Sequence, residues 1–417
     1  MLGNSNRQVM IALNKDRLLS TSLRLISLAS KLLLISFLAK NLTTSEVSIY
    51  GNFAALVSFS VTLLGMEIYQ YSLRLYAGEC LEKRVEIMRK HLSVLVTIGG
   101  ILFPLALYIA WLSGVPVQLL AYFAVIAILE LLTQEQFRFL IASDRQVSAS
   151  IILFLRSALW VIAYILLEYF ELIQHDLTSL FTCWIFSNLI AVFYGIKKVD
   201  IKIVNNVAIK YDVSEWKRQL KVGLGFFVAA ILSKVMFTFD RTLIVKNYDE
   251  NTAAVYMLNI GVAMGVLSLV EASKLSFEFP KIISVVKSKN HNEIKKYITK
   301  SMFETALYTA LLCVVIYNVY PFLLNYIGRA EYGSGEQTLK YLLLAIFFYC
   351  VSVIPHYYLY AQQRDKTLLI VQGLSTVVFI FFGYFMSINS VQDGVPIAIF
   401  VALTIQLVMK TVLWWKN

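Results

Sequence analysis

Charge is scarce in this chain. Asp, Glu, Lys and Arg make up 15% of its 417 residues, against about 25% in soluble globular domains. Hydrophobic residues reach 59% and the mean hydropathy is +0.69. A soluble globular fold is thereby excluded and an integral membrane protein expected. Alternating segments of about ten residues are missing, which excludes a membrane barrel. Cysteine is sparse as well. Cys80, Cys183, Cys313 and Cys350 are widely separated, with no C-x-x-C and no histidine pairing, so all four read as free thiols with no metal role. No Walker A sequence occurs, which removes ATP hydrolysis by that route. The net charge of +11 comes without zinc-finger spacing or any other nucleic-acid module, so no nucleic-acid partner is expected. The N-terminal MLGNSNRQVMIALNKDR is polar, and the apolar run after it holds Arg24 and Lys31 with no small-residue cleavage site beyond. No cleaved signal peptide is expected.

Long apolar runs are abundant. Twelve have the length that crosses a hydrocarbon core of about 30 Å as helix: 18–39, 50–73, 91–112, 117–139, 147–167, 177–195, 219–245, 253–274, 299–324, 338–360, 367–387 and 395–414. They are numbered here as spans 1 to 12. Basic residues collect in alternate loops. Lys83, Arg84, Arg89 and Lys90 follow span 2; Lys197, Lys198, Lys202, Lys210, Lys217 and Arg218 follow span 6; Lys281, Lys287, Lys289, Lys295 and Lys296 follow span 8. The loops between are short and neutral or acidic, with Glu168, Glu171 and Asp176 after span 5 and Asp249 and Glu250 after span 7. The positive-inside rule then puts both termini in the cytoplasm of a multi-pass protein.

An internal repeat emerges between the halves. FLAKNLTTSEVSIY (37–50) follows span 1 and LIVKNYDENTAAVY (243–256) follows span 7. A shift of 206 pairs Lys40 with Lys246, Asn41 with Asn247 and Tyr50 with Tyr256. An even number of spans per half gives both halves one orientation, the arrangement of parallel repeats with a site between them. The expected fold is all-α: an N-terminal six-helix bundle over 1–200, a cytoplasmic linker over 201–218, and a C-terminal six-helix bundle over 219–417, around a central cavity. The F-L-A-K-x-L-x-x-x-E…Y ending of span 1 and D-R-x-L-I…Y at span 7 resemble the polysaccharide-transporter branch of the multidrug/oligosaccharidyl-lipid/polysaccharide exporter superfamily. Within it the chain is similar to O-antigen flippases. It departs from that pattern at Ile49 and Val255, where the family often has Gly, and at Thr43-Thr44, where it usually has Gly-Pro.

Charges inside the spans carry the functional argument. Residues i, i+4, i+7 and i+11 share a helix face. Ser20, Arg24, Ser27 and Lys31 form such a stripe in span 1, Glu67, Tyr71 and Arg74 in span 2, Glu130, Gln134 and Arg138 in span 4, and Lys234, Thr238 and Arg241 in span 7, with Asp240 beside them. Span 5 adds Arg156, and span 8 adds Glu271 and Lys274. Facing lipid, Arg24, Lys31, Arg156, Lys234, Arg241 and Lys274 would together cost on the order of 15 kcal/mol. They are therefore expected to face the bundle interior, water or one another. The deep acids Glu67, Glu130, Asp240 and Glu271 are fewer, which leaves a cationic surplus suited to an anionic cargo. Bland alternatives stand beside this reading. Arg24, Arg74 and Arg138 lie near cytoplasmic ends, where long side chains snorkel. Asp240 with Arg241, or Glu271 with Lys274, could be local structural pairs. Pro104 and Pro355 read as bends in spans 3 and 10, His356 as a packed or cavity-edge histidine, and Asp249-Glu250 as a solvated turn.

The resemblance implies a flippase for undecaprenyl-diphosphate-linked O-antigen units in a bacterial inner membrane, working by alternating access. Arg24, Lys31, Arg156, Lys234 and Arg241 are the candidate substrate-binding residues. Glu67, Asp240 and Glu271 are candidates for coupling to a proton or sodium gradient. No other cofactor and no metal is expected. The partners implied are the lipid-linked anionic oligosaccharide, membrane lipid and other polysaccharide-assembly proteins. A drug or cation exporter of the same superfamily is the alternative, and it calls for an acidic cavity. An O-antigen polymerase or ligase is a third reading, but every external loop is short and no paired carboxylate, triad or metal cluster appears, so no enzyme is expected.

Overall fold

In the computed structural model, which describes residues 2–76, 79–198, 213–287 and 290–416, twelve helices are long and apolar enough to cross a membrane. They run Leu19–Asn41, Thr44–Gly65, Leu81–Leu112, Val117–Ala142, Gln146–Tyr169, Leu177–Lys198, Trp216–Asn247, Glu250–Lys287, His291–Ile327, Ala330–Ala361, Asp365–Ile388 and Gly394–Trp415. No strand occurs among the described residues. Each helix answers one of the twelve expected runs. Span 8 is 38 residues long, about 57 Å at 1.5 Å per residue, so part of it must project beyond the hydrocarbon. Its last turns hold Lys281 and Lys287. The expected linker 201–218 lies largely outside the described residues, and its end is already helix, which begins at Val213.

Span 2 departs from the expected 50–73. Its helix starts at Thr44 because a capping box is written in Thr43-x-x-Glu46. The Glu46 amide donates to Thr43 Oγ1 over 3.3 Å, and the Thr43 amide to Glu46 Oε2 over 3.0 Å. The helix closes at Gly65. Met66 and Glu67 take φ of +42° and +54°, and a separate short helix, Tyr69–Tyr76, follows. The left-handed region costs a non-glycine residue on the order of 1–3 kcal/mol. Past the break the chain is mixed, with Glu67, Gln70 and Arg74 among Ile68, Tyr69, Tyr71 and Leu73, so the apolar helix ends at Gly65 and the expected span ran too far. Gly223 of span 7 comes close here: a Cβ on it would lie 2.9 Å from the Met66 carbonyl oxygen.

The 206-residue repeat is visible in the backbone. The helices of spans 1 and 7 end at Asn41 and Asn247, and the next helices begin at Thr44 and Glu250. The caps coincide too. Thr43 caps span 2, and Asp249 caps span 8 by accepting from the Thr252 amide over 3.1 Å and the Thr252 hydroxyl over 2.6 Å. Further along, the break at Met66–Ile68 has its counterpart in a π-helical turn, Glu271–Leu275. Both copies therefore lose regular α-helix at the same register.

The chain divides into two compact units, Met1–Leu34 with Leu56–Ala230 and Ile35–Ala55 with Ile231–Asn417. The first is packed around Phe123, Phe139, Tyr164 and Phe181, each buried. In the second, every residue from Ala253 to Ile260 in span 8 is buried, so this helix is its axis. The 35–55 segment is seated in that second unit by close approaches and polar ties. A Cβ on Gly51 would clash with the Met257 side chain. Asn52 Oδ1 accepts from Thr242 over 3.1 Å, Ser45 donates to Glu250 over 3.0 Å, and Arg329 donates to the carbonyls of Ala39 and Leu42 at the end of span 1.

Hydrogen bonds from Thr252 hold the Asp249 carboxyl below the usual carboxylate range. Its stabilisation is complete above the unfolded value of about 3.9 and is lost as pH falls through the lowered folded value. Asp249→Ala should cost about 0.5–1 kcal/mol at neutral pH, read from thermal unfolding in detergent, with the gap to wild type closing in acid. Cys80 is exposed in a loop that the charge rule places in the cytoplasm. A membrane-impermeant maleimide should label it in inverted vesicles and spare it in spheroplasts; the opposite pattern would invert the topology.

Candidate functional site

The first unit gathers its deep charges on one carboxylate. Span 5 opens into a π-helical turn at Leu155–Leu159, and Arg156 projects from it. Its Nη2 lies 3.3 Å from Glu130 Oε2 and donates to Gln134 Oε1 over 3.3 Å. Trp184 Nε1 donates to Glu130 Oε1 over 2.9 Å and Asn188 Nδ2 over 3.3 Å. Lys31 interacts electrostatically with both Arg156 and Glu130. Carbonyls freed by the π turn find side-chain donors, as a membrane interior demands: Ser30 bonds the Ser157 oxygen over 3.2 Å, Trp160 the Arg156 oxygen over 3.1 Å, and Ser187 the Leu155 oxygen. Glu130 is 8% exposed, whereas Lys31 is crowded by protein yet accessible. Arg24 is exposed, and its Nε donates to Ser150 over 3.3 Å.

The second unit pairs most of its charges. Asp240 is fully buried and accepts from the Tyr256 hydroxyl over 2.6 Å, while its Oδ1 has no donor. Arg241 acts on it electrostatically. Lys234 does the same for Glu271, which opens the π turn of span 8 and is accessible. The alternative of a local pair between Glu271 and Lys274 is not what forms. Lys274 instead forms the intrahelical i,i+4 pair with Glu278 at 3.3 Å and reaches Glu304 of span 9 at 2.7 Å.

The structure therefore brings Lys31 and Arg156 together, Lys234 with Glu271, and Arg241 with Asp240. Glu67 stands apart from these, at the break in span 2, 3.9 Å from Arg138. Sequence reading passed over a further buried network. His91 shares hydrogen bonds of 3.0 Å with Ser72 and 3.0 Å with Glu135, which in turn accepts from Arg138 over 2.5 Å. Arg138 also stacks 3.5 Å over the Tyr69 ring. The order Ser, His, Glu is that of a hydrolytic triad, but Ser72 and His91 are 0% exposed, so no substrate reaches them. The network ties the short helix after the break to spans 3 and 4. Trp184 and Asn188 were also missed; their i, i+4 spacing was the available signal. No group of three or more His, Cys, Asp or Glu suited to a metal occurs among the described residues.

Twelve helices carrying a duplicated register define a polytopic fold of the kind found in two-lobed membrane transporters. The inward-facing form of a multidrug resistance MATE family transporter of the MOP superfamily aligns over 96% of this chain and 98% of its own, with a TM-score of 0.73 and 12% identity. The lipid II flippase MurJ, in an inward closed conformation, aligns over 96% and 88% with a TM-score of 0.70 and 14% identity. A MOP superfamily transporter from Pyrococcus furiosus, distinguished by reverse polarity of its binding pocket, aligns over 97% and 94% with a TM-score of 0.57 and 12% identity. At such identities the likeness establishes the fold. No protein-family model matches the sequence, and no curated protein matches it.

Glu130→Gln leaves Lys31 and Arg156 without their shared counter-charge. Breaking a buried pair from one side costs about 3–5 kcal/mol. Thermal unfolding in detergent should show a loss of that order, and adding Arg156→Met should recover at least half of it. Equal stability of Glu130→Gln and wild type would refute the shared-carboxylate arrangement.

Proposed function

We propose that this chain flips a lipid-linked anionic oligosaccharide across a bacterial inner membrane by alternating access, with both termini in the cytoplasm. The cargo we assign is an O-antigen unit on undecaprenyl diphosphate. One observation carries the reading: among the described residues, Lys31 and Arg156 share the single carboxylate of Glu130. The interior of the first unit thus keeps a surplus of positive charge beside hydroxyl, amide and indole donors. That is a setting for a phosphate head and hydroxylated rings, with the lipid tail left in the bilayer. Arg24, Lys31, Arg156, Lys234 and Arg241 are assigned to the anionic groups. Asp240, whose Oδ1 lacks a donor, is assigned with Glu67 and Glu271 to coupling with a proton or sodium gradient. No bond-making step is assigned, and other polysaccharide-assembly membrane proteins are the partners proposed. The fold shared with a lipid II flippase supports this choice.

A drug or cation exporter is the second reading. The fold shared with multidrug transporters favours it, as do the buried Asp240 and the accessible Glu271 of the second unit. The two readings separate in proteoliposomes. A fluorescent diphosphate-linked oligosaccharide lipid should be flipped by wild type and at least tenfold more slowly by Lys31→Gln, Arg156→Gln, Lys234→Gln and Arg241→Gln. Wild-type rates in all four, at normal expression, would remove the cationic site. Tight binding of cationic dyes, with no flipping, would favour the exporter.

A further inference from the structure

Span 12 buries one stripe of residues that includes Ile399, Ala402, Leu403, Gln406, Lys410 and Trp414. Two of the six are polar, and both are deep: Gln406 is 1% exposed and Lys410 3%. Lys410 lies near the end of its span, where a lysine would ordinarily snorkel to the interface. Its burial shows that it does not. The stripe faces spans 10 and 11. Gln406 Nε2 donates to Gln372 Oε1 of span 11 over 2.5 Å, and Gln406 Oε1 accepts no hydrogen bond. His356 of span 10 is half-buried and feels the charge of Lys410. Among the described residues no carboxylate pairs with Lys410. Arg156, Lys234, Arg241 and Lys274 each have an acid beside them, so Lys410 is the exception in this group.

A buried ammonium without counter-charge is costly, and a methionine would fill the same volume at no such cost. A ligand can supply the missing charge. We propose that Lys410, with Gln406 and His356, forms an anion-binding subsite in the second unit, taking an oxyanion of the cargo. Lys410 provides a compact positive point charge, suited to a phosphate or carboxylate oxygen. Gln406 supplies an acceptor for a neighbouring hydroxyl or protonated oxygen. His356 and Gln372, both half-buried, are the neighbouring groups that retain contact with the surroundings. The subsite rests on the transport reading for the identity of its cargo, but its anion chemistry can be measured without any transport.

The test uses the purified full-length protein in detergent at constant ionic strength. Inorganic pyrophosphate and glucuronate are titrated separately by calorimetry into wild type, Lys410→Met, Lys410→Arg and Lys31→Met. Wild type should bind at least one of the two anions. Lys410→Met should weaken that binding at least tenfold, Lys410→Arg less than threefold, and Lys31→Met should leave a Lys410-dependent site in place. Lys410→Gln makes the same comparison should the methionine variant fail to fold. A response to pyrophosphate alone assigns the subsite to the phosphates of a lipid carrier, and a response to glucuronate alone to an acidic sugar. Equal affinity of wild type and Lys410→Met for both anions, or no binding of either by wild type, overturns the subsite. Anion binding that depends on Lys410, together with failure to flip the lipid-linked probe, would sink the cargo reading and leave the subsite standing.

Discussion

The Glu130 carboxylate is the interaction on which the first unit depends. Arg156 of span 5 lies 3.3 Å from it, Lys31 of span 1 acts on it electrostatically, and Trp184 and Asn188 donate to it from span 6. Three spans thus converge on one buried acid of a fourth. In an apolar medium the alternative for each of those groups is an unsatisfied charge or dipole, so the cluster fixes helix rotation as firmly as packing does. One acid thus serves two bases in this unit.

Irregular helix is the second theme. Arg156 and Glu271 both stand on π turns, and Glu67 stands at a break with left-handed backbone. Such turns free carbonyl groups and re-aim side chains. Around Arg156 the freed carbonyls are bonded by serine hydroxyls and an indole. The break in span 2 and the π turn in span 8 occupy one register of the duplicated pattern, as do the caps Thr43 and Asp249. At these two points the duplicated pattern keeps its register while the residues have diverged, whereas span 7 breaks between Met236 and Phe239 with no matching break in span 1.

Much of this was legible in the chain itself. Twelve apolar runs gave twelve helices, and the three identities at a 206-residue shift marked a repeat whose helix ends coincide to the residue. Of the stripe Glu130, Gln134 and Arg138 in span 4, the first two meet Arg156 while Arg138 turns to Glu135. Glu135 was overlooked because its partner His91 lies 44 residues away in another helix. The capping box at Thr43 was readable and would have started span 2 at Thr44 rather than 50, while the polar Glu67 and Gln70 marked an end before 73.

Sequence alone determined the number of membrane helices, their alternating flanks of charge and the presence of deep cations, because each follows from local composition measured against bilayer thickness. Tertiary structure decided which acid each cation meets. Lys274 turns from Glu271 to Glu278 and Glu304, and Lys31 joins Arg156 across two spans. Lys410 meets no carboxylate among the described residues. Pairing depends on helix rotation and on single-residue shifts in register. Those are set by packing between helices far apart in the chain, and composition carries no trace of them.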